Sequence, residues 1–88
     1  MPEVVVYLTQ HCPYCIRAQM LLDRKGVAYR VIDVGGDPRL WAEMEARSRR
    51  STVPQIFIGD YHVGGFDDMA ALDAEGRLDP LLGLGGGA

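Results

Sequence analysis

Eighty-eight residues with twelve acidic and nine basic side chains, a formal charge of −3 and 48% hydrophobic content describe one ordinary globular domain with a modest core. The mild negative charge excludes nucleic acid and anionic membrane as expected partners, and no apolar run approaches the ~20 residues of a membrane span. Met1-Pro2-Glu3 does not open a signal peptide, and two cysteines are too few for the disulfide framework of a small secreted fold, so a cytoplasmic protein is expected.

Val4 to Leu8 is an unbroken β-branched and aromatic run, which predicts a central strand covered on both faces. The stretch Thr9-Gln10-His11-Cys12-Pro13-Tyr14-Cys15 follows and holds both cysteines. Pro13 suits the first turn of a helix, where its missing N–H costs nothing. Ala18, Leu21 and Leu22 recur at helical spacing, and Arg24-Lys25-Gly26 is a stop signal, so a helix is predicted over 13–25. Cys12 then stands at a helix N-terminus, where unpaired N–H groups and the macrodipole favour negative charge. The thiolate is the nucleophilic form of cysteine, so Cys12 reads as the attacking group and Cys15 as its resolving partner. A Cys-x-x-Cys loop is too short to staple much of the chain, which leaves chemistry as the reason for the pair.

Val27 to Val34 predicts a second strand, parallel to the first across the helix. Gly35-Gly36 breaks it. Asp37 then caps a second helix with Pro38 at its first position and Leu40, Trp41 and Met44 on its apolar face, ending near Arg47. Ser48 to Ser51 reads as a basic loop. Gln55 to Ile58 and Tyr61 to Val63, joined by Gly59-Asp60, predict a β-hairpin. Gly64-Gly65 ends it, as a turn that also lets a ligand backbone come close. Phe66-Asp67-Asp68 opens a third helix, capped by an aspartate and stopped at Gly76, and Leu78 to Leu82 can add one more turn. The domain is expected to occupy residues 1–82, with a floppy glycine-rich tail over 83–88.

Cys12-Pro13-Tyr14-Cys15, Thr52-Val53-Pro54 and Gly64-Gly65-Phe66-Asp67-Asp68, in this order and spacing, resemble the motifs of a dithiol glutaredoxin from about residue 3 to residue 82. The resemblance implies an α/β thioredoxin-like fold, a four-stranded mixed sheet sandwiched by three or four helices. It implies a monomeric glutathione-dependent thiol–disulfide oxidoreductase that reduces protein disulfides and glutathionylated clients. Glutathione is its cosubstrate, and no tightly bound cofactor or metal is expected. By position, Cys12 is the implied nucleophile and Cys15 the resolving thiol. Val53, beside a cis Pro54, is implied to pair with the cysteinyl part of glutathione, with Thr52, Tyr14, Gly65 and Phe66 around it. Asp67 and Asp68 are implied to hold the γ-glutamyl end, which fits a carboxylate at a helix N-terminus and an ammonium on an aspartate. Two positions depart from similar proteins: Thr9 stands where Lys is common and Trp41 where Arg or Gln is common, both facing the glycine carboxylate of glutathione. Arg39, Arg49 and Arg50 are the candidates to replace them.

Rival readings are a thioredoxin-like electron donor recharged by a flavoprotein reductase, and a carrier of an iron–sulfur cluster ligated by glutathione. Zinc is disfavoured because a tetrahedral site needs about four ligands, and only His11 and His62 could join the cysteines. His11 is expected in solvent, His62 as an ordinary strand residue, and the Arg47–Arg50 run as a solvated loop.

Overall fold

The first apolar run becomes the strand on which the sheet is assembled. In the computed structural model, which describes residues 2–84, β1 (Val4–Leu8) is buried at all five positions. It is followed by α1 (Pro13–Lys25), β2 (Arg30–Asp33), α2 (Pro38–Ser48), β3 (Gln55–Ile58), β4 (Tyr61–Gly64), α3 (Phe66–Ala74) and the single turn α4 (Leu78–Leu81). The strand order is β2-β1-β3-β4. β1 runs parallel to β2, with Val5 opposite Arg30 and Leu8 opposite Asp33. It runs antiparallel to β3, with Val4 opposite Ile58 and Tyr7 opposite Gln55. The sheet is therefore mixed, as expected.

Alternation along β1 divides the core in two. Val4, Val6 and Leu8 pack with Ala18 and Leu22 of α1, Met69 and Leu72 of α3, and Leu78. Val5 and Tyr7 face the other way, against Met44 of α2, Val34 and Phe57. Each buried aliphatic side chain contributes roughly 1.5–3 kcal/mol, so a strand covered on both faces stabilises both halves of the core. On the α2 side the Tyr7 hydroxyl donates to Glu43 at 2.7 Å and accepts from Arg47 at 3.0 Å. The Arg47 guanidinium lies 4.1 Å from the Phe57 ring centroid, so this arginine is packed on the sheet rather than solvated. On the other side Lys25 reaches Asp73 at 2.6 Å and Asp79 at 2.8 Å, tying the end of α1 to α3 and α4.

Four expectations change. The second strand is shorter than 27–34, because the residues opposite Val27 and Ala28 would be Pro2 and Glu3, which precede β1. Val27 instead packs into the core, and Val34 keeps one ladder bond, its N–H donating to the Leu8 carbonyl at 2.8 Å. The second helix runs on to Ser48, whose buried hydroxyl donates to the Met44 carbonyl at 2.7 Å, and Arg49 closes it at a left-handed φ of 59°. The cap of α3 is Gly65 rather than an aspartate; Asp68 sits at the third helical position and accepts the Gly65 N–H. Finally, Leu84 donates its N–H to Asp79 at 2.9 Å and packs on the core, so the tail expected from residue 83 is anchored at its start. Residues 85–88 lie outside the described residues. Among those described, no helix is long and apolar enough to cross a membrane.

Candidate active site

The loop leaving β1 delivers Cys12 to the start of α1 as its N-cap, in extended backbone, with Pro13 at the first helical position. Its sulfur accepts the Cys15 N–H at 3.3 Å. That N–H is one of the four that a helix start leaves unpaired, so the thiol takes the place of the usual Ser, Thr or Asp cap. His11, immediately before it, is exposed and adopts a left-handed φ of 61°, which turns the chain into the helix. Cys12 is half-buried and free, while Cys15, one turn on, is only 1% exposed. Burial, reinforced by its hydrogen bond with Cys12, pushes the Cys15 thiol up to about 12; a backbone hydrogen bond at Thr9 works weakly the other way. One sulfur can meet a substrate and the other is kept as a thiol in the core.

Tyr14 leads from this pair into a groove of about 280 Å³ lined by Tyr14, Arg50, Thr52, Val53, Pro54, Gly65, Phe66, Asp67 and Asp68. All eight non-cysteine residues singled out from the sequence meet there, although they come from three separate stretches of chain. The Val53–Pro54 peptide is cis. Tyr14 is half exposed, its ring 6.4 Å from that of Phe66 and its face under the Arg17 guanidinium at 5.2 Å. Beside Gly65, one oxygen of Asp68 accepts from Arg50 and from the Gly65 N–H, both at 2.8 Å. Arg50 first, and the Gly65 N–H second, hold the Asp68 carboxyl below its ordinary range. Among the described residues no group of three or more His, Cys, Asp or Glu side chains could hold a metal ion. A slightly larger hollow, about 320 Å³, lies at the opposite end of β1 between Glu3, Tyr29 and Leu82 and contains neither thiol.

The structure also redistributes several residues. Thr9 lines a different hollow with Gln10, Asp33 and Gly35, and Trp41 another with Val34, Asp37 and Pro38. Of the three arginines considered, only Arg50 lines the groove. Gly64 carries a reason that the ligand-approach reading missed. Its φ is 111°, and a Cβ there would lie 2.4 Å from an Asp68 carboxylate oxygen and 3.0 Å from Arg50. His62 is more than a plain strand residue: it stacks on Phe57 with ring centroids 4.8 Å apart and bonds to Gln55 at 2.7 Å. The signal for that pair was a glutamine inside the apolar run Gln55-Ile56-Phe57-Ile58.

A family model for glutaredoxin matches residues 4–63 of the chain. This chain belongs to the glutaredoxin family. A glutaredoxin of Pseudomonas aeruginosa is 55% identical over 82 residues, covering 93% of this chain and 98% of that one. Glutaredoxin 3 of Escherichia coli K12 is 51% identical over the same length, covering 93% and 99%. Among solved structures, a buckwheat glutaredoxin–glutathione complex superposes with a TM-score of 0.85 at 30% identity, covering 93% of this chain and 77% of that one. The glutaredoxin of Brucella melitensis does so with 0.84 at 54% identity, covering 97% and 92%. The fold is the thioredoxin-like one expected, and the protein is a glutathione-dependent thiol–disulfide oxidoreductase; the electron-donor and cluster-carrier readings are not favoured.

Proposed function

We propose that Cys12 is the attacking thiolate of this glutaredoxin, that Cys15 resolves, and that the Tyr14–Asp68 groove holds glutathione. The observation that carries this is the division between a half-exposed sulfur capping α1 and a core sulfur held as thiol, beside a groove lined by the Val53–Pro54 backbone and the Arg50–Asp68 pair. In the one-thiol route, the Cys12 thiolate attacks the glutathione sulfur of a glutathionylated client. A Cys12–glutathione disulfide forms, the client sulfur leaves and takes a proton, and a second glutathione thiolate releases oxidised glutathione. In the two-thiol route, Cys12 opens a client disulfide. Cys15 then loses its proton and attacks the Cys12 sulfur, freeing the client as a dithiol and leaving Cys12–Cys15 oxidised for two glutathiones to reduce.

Within the groove, the γ-glutamyl end goes to the start of α3, where Asp67 and Asp68 face an ammonium and helix N–H groups face a carboxylate. The Val53 backbone pairs with the cysteinyl unit, with Thr52, Pro54, Tyr14, Gly65 and Phe66 around it. Arg50, the one of Arg39, Arg49 and Arg50 that lines the groove, is held on Asp68 and meets the carboxylate of the γ-glutamyl unit, so it does not replace the basic residues missing at Thr9 and Trp41. The superposition on a glutaredoxin captured with glutathione supports this placement. Glutathione is a cosubstrate here, and no tightly held cofactor or metal takes part. The protein works as a cytoplasmic monomer on disulfide-containing or glutathionylated proteins.

The test is a pair of variants assayed on a small glutathione mixed disulfide and on a protein disulfide. Cys12→Ser should abolish both activities. Cys15→Ser should keep the first and lose the second. If Cys12→Ser keeps either one, the assignment is reversed.

A further inference from the structure

Gln55 is fully buried in a strand whose other positions are apolar, and nothing in the chemistry above uses it. A buried amide is tolerated when both of its ends are bonded. Here the amide nitrogen donates to the Thr52 carbonyl at 3.0 Å and to the Thr52 hydroxyl oxygen at 3.1 Å. The carbonyl of Thr52 can only accept, so the amide end facing it is the NH2 group and the other end is the oxygen. That oxygen lies 2.7 Å from Nε2 of His62, which must therefore carry the proton and donate it. His62 is in turn fixed by its stacking on Phe57. The result is a directed chain, from His62 through Gln55 to Thr52, that ends on the residue before the backbone offered to the ligand.

We propose that Gln55 and His62 are positioning residues for glutathione: the His62 N–H orients the Gln55 amide, which grips both oxygens of Thr52 and so presents Thr52 and Val53 in one geometry. The gripped hydroxyl oxygen of Thr52 already accepts a bond, and its own proton has no acceptor among the described residues, so it is left to donate to a ligand carbonyl or carboxylate in the groove. This rests on the reading of the groove as the glutathione site. A brace serving the hairpin alone would change stability and leave substrate affinity of the folded protein untouched; a positioning chain changes KM.

His62→Phe keeps a ring on Phe57 and deletes the donor, whereas His62→Gln restores an N–H donor without the ring. Steady-state kinetics on a small glutathione mixed disulfide should show KM raised about three- to tenfold in His62→Phe, with kcat within about twofold, and most of the loss recovered in His62→Gln. Alkylation of Cys12 by iodoacetamide should proceed at the wild-type rate in both. An unchanged KM in His62→Phe overturns the proposal. An equal rise in both variants also overturns it, because ring packing would then be the cause. Asp68→Asn, run alongside, reports on the groove itself: an unchanged KM there removes the glutathione assignment. A raised KM there with none in His62→Phe removes only the positioning chain. Should His62→Phe fail to fold, Gln55→Met cuts the same chain at its centre and is read by the same criteria.

Discussion

Two helix starts face the substrate side of this glutaredoxin, and they use the same unpaired N–H groups in opposite ways. At α1 the cap is a sulfur, and no acidic residue occupies the first turn. At α3 the cap is a glycine, and Asp67 and Asp68 occupy the first turn. The first arrangement leaves the favourable field to the thiol proposed above to make and break bonds. In the second the protein's own carboxylate takes the N–H of Gly65 and is then countered by Arg50. A dipole end left to a nucleophile supports chemistry; one already answered by a carboxylate supports selection, since an incoming ligand has to suit both the acid and the arginine.

The sharpest way to break this contrast away from the cysteines is Gly64→Ala. A Cβ at a φ of 111° is strained, and it would sit against the Asp68 carboxylate. The α3 start should lose its Arg50–Asp68 pair while the α1 start is unaffected. We expect about 1–3 kcal/mol of lost stability in urea unfolding and a raised KM, with Cys12 alkylation unchanged. Wild-type stability in this variant would show that the α3 start adapts more freely than its geometry implies.

Next in size is Arg50→Ala. The pair it breaks is about half exposed, so the effect on stability should be small, within about 1 kcal/mol. The effect on glutathione should be clearer: KM raised about two- to fivefold, and the salt dependence of wild-type KM flattened. If KM and its salt dependence both hold, Arg50 takes no part in binding the γ-glutamyl carboxylate.

The smallest difference is one of acid sensitivity. The Asp68 carboxyl is depressed in the fold, chiefly by Arg50 and then by the Gly65 N–H. Its contribution is therefore fully present above its ordinary value of 3.8 and is lost as pH falls through the lower folded value. Burial first, then Arg50, lowers the His62 pKa from its ordinary 6.5; the fold favours the neutral ring, and that contribution declines as pH drops below 6.5. Urea midpoints from pH 7 down to 3 should show both declines. Arg50→Ala should soften the lower one and His62→Phe should remove the upper one. An acid limb left unaltered by both would point to other carboxylates.

Much of this was legible because it is local. Pro13 after Cys12, Gly26 after Lys25 and Asp37 before Pro38 mark helix ends by mechanisms that need no tertiary context. The groove residues were legible through motifs. The identity of its arginine was not: Arg49 and Arg50 are adjacent, and the left-handed turn at Arg49 leaves its neighbour facing Asp68. The end of β2 depends on where its partner strand begins. The Gln55–His62 bond joins two strands across a bulge, where Ile56 lies opposite Gly64 but Phe57 opposite His62. Neither can be read from one stretch of sequence.

The position of β1 at the centre of the sheet has a consequence for the making of the protein. Its outer neighbour β2 emerges some twenty residues later, and β3, which covers its other edge, about fifty residues after Leu8. At roughly 5–20 residues per second of synthesis, that edge of a wholly apolar strand stays unpaired for about 3–10 s. A chain arrested after α2 would carry Val4–Leu8 with one hydrogen-bonding edge open to any other strand, the arrangement most prone to edge-to-edge association. The nascent polypeptide is thus most vulnerable in its middle third, long after its reactive cysteines have been made.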